Sequence, residues 1–70
     1  MNYYHLRPRK DEWRLTRENS GRVFASCRER SEAIERAAEI VRLRTGVLHI
    51  YRADGSLEEK KTFQRERAGI

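Results

Sequence analysis

Apolar and polar residues alternate along the first third of the chain, and this period is typical of β-strands with one buried face. Residues 3–8 predict a first strand that ends at a proline, which cannot donate a hydrogen bond within a sheet. Residues 13–17 predict a second strand after a polar turn. A further turn at residues 18–21 leads to a short third strand at residues 22–26.

The period changes between residues 29 and 45, where apolar residues recur every three or four positions and predict an amphipathic helix. Gly46 follows at the position of a left-handed C-cap. The start of the helix has two alternatives, because Ser26 forms a capping-box sequence with Glu29 and Ser31 could also cap. The predicted buried face consists of Ile34, Ala37, Ala38, Val41 and Thr45, with Ala33 and Ile40 on its flank.

The chain after the helix predicts a β-hairpin. Residues 47–52 form an apolar strand, and residues 57–63 form its partner. The intervening Asp54-Gly55 favours a type I′ turn. Residues 64–70 are charged and aperiodic, so we expect one domain over residues 1–63 and a flexible C-terminal tail.

The predicted order is therefore β-β-β-α-β-β, an α+β fold with a mainly antiparallel sheet and one helix packed on one face. A right-handed crossover through the helix would place the fourth strand parallel to the first, with a hairpin on either side of this pair. The side chains expected to face the helix are Tyr4, Leu6, Trp13, Leu15, Val23, Ala25, Leu48, Ile50 and Leu57.

The opposite face of the sheet, which we call the open face, combines aromatic, imidazole and basic side chains. Such a surface can bind single-stranded nucleic acid, because bases stack on aromatic rings while Arg and Lys contact phosphates. Ordinary cross-strand pairing on a solvated sheet is the alternative. Protein association, including a homodimer, could use the same face or an edge strand. The candidates are Tyr3, His5, Arg7, Arg14, His49, Tyr51 and Lys60, together with Thr16.

The distribution of charge along the chain bears on the hypothesis of nucleic-acid binding. The 70 residues carry a net charge of +5, and residues 1–28 alone carry +4. A basic segment attracts phosphate-bearing partners through counterion release. However, thirteen of the sixteen cations are arginine, which is also the composition that a GC-rich genome encodes without selection for binding.

The sequence gives only weak signals for a catalytic or metal site. His5, His49 and Cys27 lack the paired short spacing of metal ligands, and Cys27 is the only cysteine, so no intramolecular disulfide is possible. Asp54 has a turn role, and no apolar run near the N-terminus predicts a signal peptide or membrane span. We therefore expect a cytoplasmic, non-enzymatic binding or interaction module with no cofactor, no metal and no membrane contact.

Several short motifs occur in an order that resembles the bacterial domain of unknown function 2188 family. They are Tyr4-His5-Leu6-Arg7-Pro8, Trp13 after a polar turn, Glu32-Ala33-Ile34-Glu35 early in the helix, Ile50, and Asp54-Gly55 in the last turn. The resemblance spans nearly the whole chain and implies a small bacterial protein of unassigned biochemistry. Glu29 stands where the family has a helix-capping threonine, so we expect a different cap here.

Overall fold

A computed structural model describes residues 2–64, which form five strands and one helix in the predicted order. The elements are β1 Tyr3–Arg9, β2 Glu12–Arg17, β3 Val23–Cys27, α1 Arg30–Arg44, β4 Gly46–Tyr51 and β5 Leu57–Phe63. The predicted flexible tail falls mainly on residues 65–70, which lie outside the described residues. The structure confirms the α+β fold class.

The five strands form one sheet in the order β3-β2-β1-β4-β5. β1 and β4 are parallel neighbours at its centre, while the other three pairs are antiparallel. The prediction of a central parallel pair flanked by hairpins is therefore confirmed. This arrangement brings the first and fourth strands together although the helix separates them in sequence.

The helix covers one side of the sheet, which we call the closed face, and the main core lies between them. Alanines at two successive turns of α1 are buried there, as is Val41, and their small side chains let the helix lie close to the strands. In the described part of the chain, α1 is the only helix and is not long and apolar enough to cross a membrane. The core cluster consists of Tyr4, Leu6, Trp13, Leu15, Ala33, Ala37, Val41, Leu48 and Ile50.

Two of the strand positions predicted to face the helix are wrong, and sheet irregularities explain both. Pairing of β2 with β3 shifts between Leu15 and Thr16, so Val23 lies opposite Thr16 on the open face and is 46% exposed. Pairing of β4 with β5 shifts between Ile50 and Tyr51, so Leu57 lies opposite Tyr51 and is 45% exposed. An extra residue in one strand reverses the alternation beyond it.

The helix ends differ from the predicted caps. Glu29 is the N-cap residue, and its side chain makes no capping hydrogen bond, which agrees with the altered cap expected from the family resemblance. At the other end Thr45 has a positive φ of 60°, and Gly46 has a φ of +150°. A Cβ atom at Gly46 would lie 2.5 Å from the Asn2 carbonyl oxygen, so glycine is required by close packing as well as by its backbone angle.

The last hairpin turn is not of type I′, because that geometry needs two successive positive φ angles and only Gly55 has one. The Gly55 amide donates to the Arg52 carbonyl, and the Arg52 amide donates to the Ser56 carbonyl. This is the three-residue loop in which a type I turn precedes a left-handed glycine. The Asp54 carboxylate accepts hydrogen bonds from Ser56, which lower the pKa of Asp54.

Candidate functional site

The open face contains a cross-strand row of polar side chains at the level of His5. Strand pairing puts Thr16 beside His5, His5 beside His49, and His49 beside Lys60. Side chains at paired positions of neighbouring strands lie on the same face of a sheet. The parallel pairing of β1 with β4 therefore brings together two histidines that are far apart in sequence.

Aromatic and imidazole rings pack against one another across the two central strands. The His5 and His49 rings are stacked, with centroids 4.8 Å apart and an interplanar angle of 14°. The ring centroid of Tyr3 lies 6.1 Å from that of His49, and the ring centroid of Tyr51 lies 5.9 Å from that of His5. The Arg7 guanidinium lies 4.7 Å from the centre of the Tyr51 ring. We call these five side chains the aromatic row.

The spacing of the two imidazoles matches the separation of neighbouring strands, which is about 4.8 Å. Each ring therefore faces the other across the strands, and the pair presents ring edges to a ligand above the sheet. The hydrogen-bonding nitrogens lie on these edges. As a result, the two imidazole surfaces that face each other are not available for stacking a base.

A chain of hydrogen bonds fixes the His5 ring. The His5 Nε2 atom lies 2.9 Å from a Glu18 carboxylate oxygen, which can only accept, so Nε2 carries a proton. In the neutral ring Nδ1 then accepts a hydrogen bond from the Tyr51 hydroxyl at 3.0 Å. Arg7 donates to the same hydroxyl oxygen at 3.2 Å. The chain thus runs from a carboxylate through imidazole and phenol to a guanidinium.

His49 is held differently from its stacked neighbour. Its Nδ1 atom lies 3.3 Å from the Tyr4 carbonyl oxygen, to which it donates, and this leaves Nε2 as an acceptor in the neutral ring. Burial lowers the pKa of His49, and the adjacent His5 and Lys60 side chains lower it further. The environment of His49 therefore favours the neutral imidazole.

A groove of about 300 Å³ adjoins one end of the aromatic row. Three arginines line it, and Pro8 and Val23 contribute apolar surface. One of these arginines, Arg14, is held by a 2.6 Å ion pair to Glu12, and this contact lowers the pKa of Glu12. The groove is therefore basic with an apolar lining. Its residues are Arg7, Pro8, Arg9, Arg14, Thr16, Gly21 and Val23.

Strand register brings all seven sequence-predicted site residues to the open face. Tyr3, His5, Arg7, His49 and Tyr51 form the aromatic row, while Arg14 lines the groove and Lys60 lies beside His49 on β5.

Cys27 is not part of this surface. It packs against the core on the closed face, so the structure does not bring it to His5 and His49. Over residues 2–64, no group of three His, Cys, Asp or Glu side chains is arranged to hold a metal ion.

The role of Glu18 and the contributions of Arg9 and Val23 to the groove were not predicted from the sequence. Glu18 lies in the turn after β2, and its amide donates to the Tyr3 carbonyl, which brings its side chain to His5. The pairing register of β1 with β2 is the signal that could have located it. Val23 reaches the groove only because of the shift in β3 pairing.

Comparisons with known proteins bear on the family and leave the activity open. No curated protein and no solved structure matches the chain. One family model matches residues 4–63 and thereby includes every strand and the helix almost completely. The motifs on which the resemblance was based all lie within this match. The chain therefore belongs to the family described as "Uncharacterized protein conserved in bacteria (DUF2188)".

Proposed function

We propose that this protein is a non-enzymatic binding module whose ligand contacts the open face of the sheet. The observation that carries the proposal is the hydrogen-bonded chain Glu18-His5-Tyr51-Arg7, which holds polar groups in fixed positions on a rigid sheet. Fixed positions reduce the entropy lost on binding. The described helix surface has no comparable array.

The same series of hydrogen bonds argues against a catalytic role for Glu18, His5, Tyr51 and Arg7. The Tyr51 hydroxyl donates to His5 and accepts from Arg7, and the remaining His5 nitrogen is bound to Glu18. A general base needs an acceptor atom within reach of a substrate proton. Here these groups satisfy one another, which supports a positioning role over proton transfer.

We include a cytoplasmic location in the proposal because a chain with a single cysteine suits a reducing compartment.

Nuclear magnetic resonance of the ¹⁵N-labelled full chain tests the position of the binding surface. The protein would be titrated with a single-stranded oligothymidylate and, separately, with an oligoglutamate peptide. We expect shift changes for at least one probe, centred on His5, Arg7, Arg14 and Tyr51. Changes confined to the outer surface of α1, or no changes with either probe, would contradict the proposal.

A second candidate function is binding of single-stranded nucleic acid, and the basic groove is the observation that favours it. Arg7, Arg9 and Arg14 could contact successive phosphates, while Pro8 and Val23 offer apolar contact to a sugar or base. Tyr3, which is 42% exposed, is available for stacking at the other end of the aromatic row. This arrangement predicts affinity that depends mainly on phosphate contacts.

Salt dependence distinguishes this candidate from binding of other ligands. We expect oligothymidylate to bind at about 50 mM salt, and each lost phosphate contact should reduce the slope of log affinity against log salt by about 0.7. Arg14→Ala should show this reduction, while Arg36→Ala on the outer surface of α1 should leave the slope unchanged. Tyr51→Ala should also weaken binding. Absence of binding at low salt, or equal slopes in both arginine variants, would exclude the nucleic-acid hypothesis.

A further inference from the structure

The two edge strands of the sheet differ in how they are protected from pairing with another strand. Both edge strands have an irregularity in their pairing, β3 with β2 and β5 with β4, but β5 also contains Glu58, Glu59, Lys60 and Lys61. Charged side chains and bulges are the usual devices that prevent a sheet from extending at its edge. β3, at the opposite edge, has no charged side chain in its five residues.

The core is also incompletely covered beside β3. Phe24, Ala25 and Cys27 pack against the core cluster but remain only partly buried, because no strand of residues 2–64 lies beyond them. On β5, the corresponding closed-face positions opposite Leu48 and Ile50 are a lysine and a glutamate. An additional strand beside β3 would therefore bury apolar surface, whereas one beside β5 would bury charge.

Basic side chains surround the uncharged β3 edge. Arg22 and Arg28 flank the strand directly in sequence. The guanidinium groups of Arg22 and Arg44 lie 5.6 Å and 4.8 Å from the centre of the Phe24 ring. A strand that adds to this edge would therefore have an arginine near each of its ends.

In the register that pairs all five residues of β3, this charge pattern disfavours a second copy of the chain as the added strand. Two β3 strands related by a two-fold axis run antiparallel, and an axis through Ala25 would place Arg22 opposite Arg28 at both ends of the pair. Like charges directly opposite each other destabilise strand pairing. Carboxylates at these positions would be attracted instead.

We infer that the β3 edge is a docking site for an extended segment of another protein, with uncharged residues along its length and a carboxylate near each end. The segment joins the sheet as a sixth strand. Main-chain hydrogen bonds to β3 supply affinity, while the arginines at the two ends select for acidic residues. This site adjoins the groove of the open face, because Val23 contributes to both, but the inference does not depend on the function proposed for the open face.

A synthetic peptide tests the inference directly. It has a glutamate at each end of an alternating valine and threonine stretch as long as β3, and a control peptide has lysine in place of both glutamates. We expect the acidic peptide to bind the full chain about tenfold more tightly than the control, because like-charge contacts in an interface are unfavourable. Amide shifts and slowed amide exchange should be centred on Val23–Cys27.

Matched charge reversals locate the contact. Arg22→Glu combined with Arg28→Glu should reduce affinity for the acidic peptide by about tenfold or more, since both ends then repel it. Arg36→Glu combined with Arg42→Glu changes the net charge equally but lies on α1, so its affinity should remain close to that of the unmodified protein. Circular dichroism would verify that both variants are folded.

Three results would overturn the inference. One is equal affinity for the acidic and lysine peptides, or binding of neither. Another is a set of amide changes centred on β5 or on the aromatic row. The third is a dimer in sedimentation whose β3 amides are already protected from exchange, because a second copy of the chain would then occupy the edge.

Discussion

The two faces of the sheet are stabilised by different interactions. On the closed face, large side chains such as Leu6, Leu15 and Ile50 are almost completely buried, and burial of one such side chain contributes about 1.5–3 kcal/mol. On the open face, His5 and Tyr51 are held by hydrogen bonds, each of which contributes about 0.5–1.5 kcal/mol. Stability thus depends mainly on one face, which leaves the other free to carry binding groups. Substitutions on each face would show whether the protein has this division of roles.

Trp13→Ala should have the largest effect. Trp13 belongs to the core cluster and is 9% exposed, and replacement of a buried tryptophan by alanine costs about 3–5 kcal/mol. In a domain of this size, that loss is enough to unfold much of the population. Urea unfolding followed by circular dichroism would measure the change in the free energy of unfolding.

Tyr3→Ala is the matched control on the open face, since it also removes an aromatic ring. Tyr3 is 42% exposed, so we expect a loss below about 1 kcal/mol. Similar losses for Trp13→Ala and Tyr3→Ala would show that stability is shared by the two faces, and would contradict the division.

The hydroxyl groups of Tyr4 and Tyr51 provide a finer test. The Tyr4 hydroxyl is buried on the closed face and has no hydrogen-bond partner in the described part of the chain, whereas the Tyr51 hydroxyl bonds to His5 and Arg7. Tyr4→Phe removes an unpaired buried group and should leave stability unchanged or raise it. Tyr51→Phe should reduce stability by about 1 kcal/mol. Thermal unfolding of both variants would show whether the signs differ as expected.

The pKa of His49 predicts the smallest effect, a dependence of stability on pH. Burial lowers this pKa in the folded protein, so the unfolded chain binds more protons just below the ordinary histidine value of about 6.5. The free energy of unfolding should therefore fall as pH decreases from that value towards the folded pKa.

His49→Gln removes this proton uptake and should flatten the dependence in that interval, as measured by urea unfolding at several pH values. The carboxylates of Glu12 and Asp54, whose pKa values are also lowered, affect stability only at more acidic pH, below about 4.5. An unchanged pH dependence in His49→Gln would show that the environment of this imidazole does not disfavour its protonation.

Periodicity was sufficient to predict the elements, their order and most of the buried positions, because each side of a regular strand or helix has one environment. It failed at Val23 and Leu57, where an extra residue in one strand reverses the alternation without an obvious sequence signal. The type I′ prediction failed because Asp-Gly also suits a type I turn followed by a left-handed glycine.

The candidate site was predictable only in part. Alternation assigned His5, His49 and Tyr51 to one face, but their stacking and hydrogen bonds depend on the register of strands that are distant in sequence. Identification of Glu18 as the partner of His5 would have required the same knowledge, because the register of β1 with β2 brings the two side chains together. Register, which the sequence encodes only through packing, decides these contacts.

The parallel pairing of β1 with β4 also has a consequence for the order of folding. Each hairpin can close locally, but contact between His5 and His49 requires closure of the loop that contains β2, β3 and the helix. Closure of a longer loop costs more chain entropy, and non-local strand pairs slow folding. The stacked imidazoles should therefore come together after the local hairpins, and their ring resonances would serve as a kinetic marker of the late, chain-spanning step.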